Sequence, residues 1–270
     1  MRWFLKTVLF ILCVFIFPVG CKVAHHFSGN DNEAWWQLRR DSSGQAPDPA
    51  VETQAVIQVY AARAARWRGA FGVHSWIVVK PSNAERYTRL EVIGYALRWS
   101  DTTVRISQGR PDGWWFGNKP WLLRDLRGGE EIDAIIERLL AAATTYPQND
   151  QYNVWPGPNS NTFIAELGRL APELQLELPV TAIGKDYLSN NRWVASAPSG
   201  TGVQFSVNGL FGVLLALDEG LEVNVAGLSA GVDLWPPAIK LPAVGRIGFE
   251  DRKKLTAPHL KSEPSGAPRS

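Results

Sequence analysis

The stretch Val-His-Ser-Trp-Ile-Val-Val-Lys, at residues 73–80, gives the clearest signal for the fold. It is short, rich in β-branched and aromatic residues, and followed at once by Pro81-Ser82-Asn83, so it predicts a strand that ends in a turn. Residues 87–99 have the same character, and residues 103–108 follow after a short polar break. Neighbouring strands joined by short turns predict an antiparallel meander.

Helical patterns lie on both sides of this meander. Asp48 and Pro49 supply an N-cap and a first-turn proline, and apolar residues at helical spacing extend the pattern to residue 67. Residues 130–145 are amphipathic, and residues 159–170 form a further helical segment that stops before a proline. The predicted fold class is α+β, an antiparallel sheet with helices packed on one face.

Strand-like alternation dominates the last third of the chain. Residues 204–217 and 221–228 predict two strands joined at residues 218–220, with Gly209 and Gly212 in the first marking a bulge or a close backbone approach. The polar residues nearby are expected to face solvent, with the lining of a cleft as the alternative; they are Lys185, Asp186, Glu222, Asn224 and Asp233.

The N-terminus resembles a secretory leader. Arg2 and Lys6 precede an apolar run over residues 7–19, which is shorter than the roughly 20 residues of a comfortable membrane span. Cys21 follows this run where a lipoprotein carries its lipidated cysteine, although Pro18 departs from that pattern. A cleaved signal, a lipid on Cys21 and a retained anchor stay open, and the charges place the domain on the periplasmic side of a bacterial membrane.

The predicted organisation has four parts. Residues 1–21 are a signal peptide or membrane anchor, 22–47 a linker, 48–250 a single globular domain, and 251–270 a disordered tail rich in Pro, Ser and Gly.

Composition narrows the chemistry. No cysteine lies beyond Cys21, so the domain has no disulfide, no thiolate metal cage and no cysteine nucleophile. The net charge of +2 gives no reason to expect nucleic acid. The sequence also lacks a Gly-rich phosphate loop, a His-Glu-x-x-His motif and a Gly-x-Ser-x-Gly elbow. We expect no metal and no cofactor. The expected partners are the membrane, through the N-terminus, and peptide, glycan or lipid of the cell envelope.

Two segments could carry chemistry. His74 opens the 73–80 strand, and Ser160 lies within Trp-Pro-Gly-Pro-Asn-Ser-Asn-Thr-Phe at residues 155–163. The proline-rich loop brings the hydroxyl to a helix N-terminus, whose free N–H groups and positive dipole favour an anionic nucleophile or oxyanion.

A third polar group would have to hold the imidazole. The candidates are Glu91, Tyr95 and Asn153, of which Glu91 is preferred. The same residues have an ordinary interpretation, with Ser160 in a helix cap and His74 as a buried histidine bonded to a carbonyl.

Several motifs resemble a known family. An uncharacterised bacterial family, numbered 3750 among domains of unknown function, has similar segments at residues 74–76, 155–163, 182–186 and 227–245. The resemblance extends over roughly residues 55–250 and implies no established activity.

A more distant resemblance concerns catalysis. A histidine that opens a strand, followed by Asn-Cys-Asn-Thr-Phe at a helix start, is similar to circularly permuted NlpC-type, papain-like proteins, which implies a permuted papain-like fold. In those proteins the cysteine is the nucleophile and the histidine its base; here His74 matches the histidine and Ser160 replaces the cysteine. A serine hydroxyl is far less acidic than a thiol, so it needs its base in direct contact during attack.

Aromatic residues indicate a binding groove. Residues 113–121 predict a tryptophan-rich loop that forms a wall for an apolar or glycan-bearing ligand. The predicted ligand-binding residues are Trp76, Trp114, Trp155, Asn159 and Asn161.

Three functions follow. The first is a tethered envelope protein with a papain-like groove that binds peptide, glycan or lipid without strong turnover. The second is an active serine amidase or acyl hydrolase using Ser160, His74 and Glu91. The third is a structural envelope protein that docks partners through its tryptophan-rich surface.

Overall fold

The computed structural model describes residues 2–27, 34 and 36–249. Over these ranges the chain forms a five-stranded and a seven-stranded antiparallel sheet. The five-stranded sheet has the order β4-β3-β2-β1-β5 and consists of β1 (Ala55–Arg63), β2 (Val73–Lys80), β3 (Thr88–Val92), β4 (Val104–Gln108) and β5 (Trp121–Gly128).

The seven-stranded sheet is a simple meander in which each strand pairs with the next along the chain. Its strands are β6 (Val194–Ser196), β7 (Gly202–Val207), β8 (Phe211–Ala216), β9 (Gly220–Val225), β10 (Leu228–Leu234), β11 (Pro237–Leu241) and β12 (Gly245–Gly248). The helices are α1 (Arg2–Ile11), α2 (Phe17–Phe27), α3 (Glu130–Thr144) and α4 (Ser160–Leu170), and a π-helical segment at Leu12–Ile16 joins α1 to α2.

The main core lies between the five-stranded sheet and the two internal helices. Alternate residues of β1 and β2, such as Ile57, Val59 and Ile77, pack with Leu139 of α3 and Phe163 of α4. Side chains of this size stabilise the fold by about 1.5–3 kcal/mol each when fully buried. The α+β class is therefore confirmed, with α3 and α4 on one face of the sheet.

The helix predicted for residues 48–67 is wrong, because the middle of this segment, Ala55–Arg63, is β1. β1 lies between β2 and β5 in the first sheet and is buried on both faces, with Ile57 and Val59 in the main core and Val56 and Tyr60 in a second apolar cluster. A strand covered on both faces is apolar without alternation, so spacing alone cannot separate it from a buried helix.

Two other boundaries differ from the prediction. The strand predicted over residues 87–99 ends at Val92 and is followed by a 3-10 turn at Gly94–Arg98. Residues 204–217 form two strands, because Asn208 (φ 51°) and Gly209 (φ 71°) reverse the chain between β7 and β8. Gly209 therefore marks a turn and not a bulge. The close backbone approach is confirmed at both glycines, because a Cβ atom would meet the Pro156 carbonyl oxygen at Gly209 and the Phe205 carbonyl oxygen at Gly212.

The N-terminal segment packs against the domain. The π-helical segment contacts β10 and α2 contacts the 3-10 turn at Arg66–Ala70. Among the described helices, none combines the length and apolar character needed to cross a membrane. The predicted tail at residues 251–270 lies outside the described residues, as does part of the predicted linker.

The described part of that predicted linker touches the domain. Ser42 and Ser43 donate hydrogen bonds from their hydroxyls to the Asp112 carboxylate, at 2.8 and 3.1 Å, and the Gln45 backbone N–H donates to the same carboxylate at 2.6 Å. The domain boundaries themselves stay predictions.

The inner face of the seven-stranded sheet is polar and buried. Glu222 on β9 accepts hydrogen bonds from Lys185 at 2.5 Å and from Lys240 of β11 at 3.2 Å. Asp186 accepts from Asn224 at 2.9 Å and from Ser229 at 2.7 Å.

The expectation that these residues face solvent is wrong. Lys185, Asp186, Glu222, Asn224 and Asp233 are each at most 5 % exposed. The sheet turns its polar side inward because residues 177–186 and α4 supply charged partners there, including Glu177, Lys185, Asp186 and Arg169.

Breaking this network should cost stability. We expect Glu222→Gln to lower the free energy of unfolding by about 3 kcal/mol, because it leaves the buried Lys185 and Lys240 ammonium groups without their shared carboxylate. Denaturant unfolding measures the change. Glu173→Gln, which removes an exposed ion pair with Arg138, is the matched control and should cost less than about 1 kcal/mol. Equal losses in the two variants would contradict a structural role for the buried network.

Candidate functional site

The start of α4 is held by a capping box. The Asn159 side-chain oxygen accepts hydrogen bonds from the backbone N–H groups of Asn161 at 2.9 Å and Thr162 at 3.3 Å. In return the Thr162 hydroxyl accepts from the Asn159 N–H at 3.1 Å. Two first-turn N–H groups that the sequence suggested were free are therefore occupied within the chain.

Gly184 allows the approach of a neighbouring segment to this cap. It has a φ of +96°, and a Cβ atom there would lie 2.4 Å from the Asn159 side-chain nitrogen. The Thr162 hydroxyl donates to the Gly184 carbonyl at 2.7 Å. A side chain at this position would displace the residues that fix the direction of α4.

The Asn161 side chain connects α4 to β2. Its amide nitrogen donates to the carbonyls of Val73 at 3.0 Å and Ile183 at 2.8 Å, and its oxygen accepts from the Ser75 hydroxyl at 2.8 Å. Val73 and Ser75 flank His74, and Asn161 follows Ser160. The amide of Asn161 thus holds the backbone that carries the predicted base beside the backbone that carries the predicted nucleophile.

His74 is held on three sides. Its Nε2 atom lies 3.1 Å from Glu91 Oε2, and the same carboxylate oxygen accepts from Arg89 at 2.7 Å. The Trp115 ring stacks on the imidazole, with centroids 3.8 Å apart and planes 12° from parallel. The structure therefore brings His74 and Glu91 together as the sequence suggested, and adds Arg89 and Trp115.

The ionisation of this pair follows from burial and charge. Burial lowers the pKa of His74, the hydrogen bond and charge of Glu91 oppose this change, and the Arg89 charge lowers it further. Burial alone would raise the pKa of Glu91, but its hydrogen bond to His74 and the Arg89 charge bring that pKa to about 2. At neutral pH the carboxylate is ionised and the imidazole is neutral.

The tautomer of the neutral ring follows from these states. An ionised carboxylate only accepts hydrogen bonds, so Nε2 carries the proton and Nδ1 carries the lone pair. His74 also lines the cavity described below. Nδ1 is thus the ring nitrogen that can act as a base there.

Ser160 faces a tyrosine. Burial raises the pKa of Tyr152, while the Arg68 charge and a hydrogen bond with Ser160 oppose the change. Between Ser160 and His74, both of which are described, there is no hydrogen bond. Catalytic hydrogen bonds are often long before a substrate binds, so the absence of this hydrogen bond is compatible with nucleophilic attack by Ser160.

One cavity contains both residues. Its volume is about 740 Å³, and its lining is mostly apolar. The polar residues of the lining include His74, Ser160 and Tyr152, and Arg68 and Arg98 also line the cavity. The apolar wall includes Trp67, Phe71, Val92, Ile93 and Leu228, together with Val19 of α2.

The predicted ligand-binding residues divide into two groups. Trp155, Asn159 and Asn161 line the cavity, whereas Trp76 and Trp114 lie elsewhere. Trp76 is fully buried, stacks against Tyr60, and donates from its indole N–H to the Pro111 carbonyl at 2.8 Å. Trp114 packs against the Arg39 guanidinium, whose carbon lies 4.1 Å from the ring centroid.

Two residues at the site, Arg89 and Tyr152, were not predicted from the sequence, whereas Trp115 belongs to the loop at residues 113–121 that was predicted to form a wall of the groove, and it lines the cavity. Arg89 precedes Glu91 by two positions and shares its face of β3, so strand alternation is a signal that could have found it. Tyr152 comes from a loop far from His74 in sequence, and nothing local indicates its position. Among the described residues, no group of three His, Cys, Asp or Glu side chains is placed to hold a metal ion.

Comparison with known proteins identifies a family for part of the chain. Residues 54–187 match the model of a family described as protein of unknown function, DUF3750. The resemblance to this family is confirmed for the motifs at residues 74–76, 155–163 and 182–186, and the similar segment at residues 227–245 lies outside the match. The match includes His74, Glu91 and Ser160 and ends before the seven-stranded sheet. No curated protein and no solved structure gives a significant match.

The ionisation of His74 can be tested directly. In an NMR titration of the imidazole resonances, we expect a pKa below the ordinary value of 6.5, and a still lower one in Glu91→Gln, where the Arg89 charge stays without its partner. Because the folded state then binds fewer protons than the unfolded chain, stability should fall as the pH drops below about 6.5. A His74 pKa at or above 6.5 in the wild type would rule out this description of the site.

Proposed function

We propose that this chain is a membrane-tethered envelope protein whose cavity binds an acyl chain with an anionic or carbonyl head group. The observation that carries the proposal is the composition of the cavity, which combines a mostly apolar lining with the polar side chains of His74, Ser160 and Tyr152. A glycan or an extended peptide would need more hydrogen-bonding groups along the wall than this lining offers.

The size and charge of the cavity support the same ligand class. Small-molecule pockets in proteins span roughly 300–1,000 Å³, and this cavity has about 740 Å³. Arg68 and Arg98 add two guanidinium groups, which bind carboxylates and phosphates through paired N–H donors. A fatty acid or a lipid of similar shape satisfies both parts of the lining.

The state of the helix N-terminus favours binding over rapid turnover. The N–H groups of Asn161 and Thr162 are bonded to the Asn159 side chain, so they are not available to stabilise an oxyanion.

The proposed tether is the N-terminal segment. Trp3, Leu9 and Phe10 of α1 are exposed, and Cys21 is exposed on α2. Exposed apolar residues on a helix that follows basic Arg2 are consistent with attachment to lipid, through the helix itself or through a lipid on Cys21.

Acyl-chain binding can be tested by filling the cavity. We expect a fluorescent fatty acid to bind the full chain saturably, and Ala65→Trp to weaken binding at least about tenfold, because Ala65 lines the cavity and an indole would occupy it. Ala50→Trp, at an exposed position away from the cavity, is the matched control. Fluorescence titration measures both. Equal affinities for the two variants, or no saturable binding, would contradict the proposal.

A second candidate is acyl transfer by Ser160, favoured by the His74–Glu91 pair. The Ser160 hydroxyl would attack the carbonyl carbon of an acyl ester while its proton passes to His74 Nδ1. Expulsion of the alcohol, which takes that proton, would leave an acyl-serine. Water would then break this ester in the reverse sequence and release the acid.

A fluorophosphonate probe distinguishes this candidate from simple binding. An activated serine is expected to form a covalent adduct at Ser160, detectable by intact-protein and peptide mass spectrometry, and Ser160→Ala and His74→Gln should both abolish it. Ser196→Ala, at an exposed serine away from the cavity, should label like the wild type. Absence of the adduct in the wild type would reject acyl transfer and leave ligand binding untouched.

A further inference from the structure

The outer face of the seven-stranded sheet is apolar and exposed. By strand register the same face carries one such residue from each of six strands, and these residues are 39–60 % exposed: Val203, Val213, Val223, Val232, Ile239 and Ile247. Over the strands β7–β12, no charged residue points to this side. We call it the apolar face.

This polarity is opposite to that of an ordinary half-buried sheet, in which the apolar side faces the core. Here the inner side holds Lys185, Glu222 and Lys240 in one buried ion network. The apolar side chains are therefore left outside, and they form a contiguous patch of a kind that marks an interaction site on soluble proteins.

Two of the hairpin turns at one end of the sheet carry exposed apolar side chains. Leu217 follows β8, is 86 % exposed and is followed in its turn by the partly buried Asp218 and the buried Glu219. Leu234 ends β10 and Trp235 lies between β10 and β11, and they are 81 % and 85 % exposed. Turns are usually formed by polar residues and glycine. Side chains that project this far beyond the sheet suit insertion into a deformable apolar medium better than contact with a flat protein surface.

The N-terminal segment continues the apolar face. Phe15 of the π-helical segment is buried where that segment contacts β10, and Ala230 of β10 is buried on the same side of the sheet. Ile16 of this segment and Phe17, the first residue of α2, remain 52 % and 69 % exposed. The apolar surface of the sheet and that of the helix therefore meet at β10.

We propose that the apolar face rests on a lipid bilayer, with the turn tips at Leu217 and Trp235 inserted among the acyl chains. Lipid fits better than a second copy of the chain because the face is uncharged, has projecting tips and is continuous with an apolar helix. Arg66, Trp67 and Arg68 lie in the turn that contacts α2, and exposed Arg and Trp side chains favour the headgroup region. This inference holds whether or not the cavity binds an acyl chain.

Depth-dependent quenching tests the orientation. The full chain, with Cys13→Ser and Cys21→Ser, would carry a bimane label at Leu215→Cys on the apolar face or at Leu170→Cys at the end of α4. These leucines are 59 % and 52 % exposed, so they form a matched pair. With phosphatidylethanolamine–phosphatidylglycerol vesicles that contain brominated acyl chains, the label at position 215 should be quenched and that at position 170 should not.

Vesicle partitioning gives a second measurement without labels. Val213→Thr/Leu215→Thr should lower the partition coefficient about tenfold, whereas Val51→Thr/Leu170→Thr, which makes the same replacements at exposed positions elsewhere, should not change it.

Three outcomes would overturn the proposal. Equal quenching at the two labelled positions would show that the apolar face is not oriented towards lipid. A blue-shifted but unquenched label at position 215 would show that protein, such as a second copy, covers the face. Equal partitioning of the two double variants would show that the face contributes nothing to binding.

Discussion

The side-chain amide of Asn161 joins three parts of the chain that are far apart in sequence. It bonds to Val73 and Ser75 of β2, belongs to the first turn of α4, and bonds to the carbonyl of Ile183. All three contacts are buried or partly buried, so each lost partner would leave a polar group unsatisfied. The position of His74 relative to Ser160 depends on this amide more than on any direct contact between the two residues.

The same connection determines how the second sheet packs. Residue 183 leads directly into Lys185 and Asp186, which are buried against Glu222, Asn224 and Ser229. Buried charges are tolerated only when they are paired and hydrogen-bonded, so the sheet has to present its polar side inward. Its apolar side then faces outward. The exposed apolar face is a consequence of the ion network that attaches the sheet to the rest of the domain.

The elements that could be predicted are those whose apolar residues lie on one face, or whose ends carry clear turn or cap residues. β2, α3 and α4 were recognised because their apolar residues follow a strand or helix period and their ends carry turn or cap residues. β1 was mistaken for a helix because both of its faces are buried. The strands of the second sheet alternate clearly, but alternation does not say which side is inside, and the usual assumption gave the wrong side.

At the candidate site too, only residues with a local sequence signal could be predicted. His74 and Ser160 could be selected because each has a local signal, a strand start and a helix start, and Glu91 because it lies on a neighbouring strand. The loop at residues 113–121 was expected at the groove, but the stacking of its Trp115 on His74 and the contribution of Tyr152 depend on loop conformations that no local pattern specifies. The use of the first-turn N–H groups by Asn159 is also visible only in the structure, and it favours binding over turnover.

The cavity and the apolar face have one element in common. Leu228 lies at the start of β10, where its register places it on the apolar side of the sheet, and it also lines the cavity together with Val19 of α2. If the face rests on lipid, this edge of the cavity lies next to the bilayer, and an acyl chain could pass between the two without crossing water. Leu228 therefore connects the proposed acyl-chain site with the proposed membrane-facing surface.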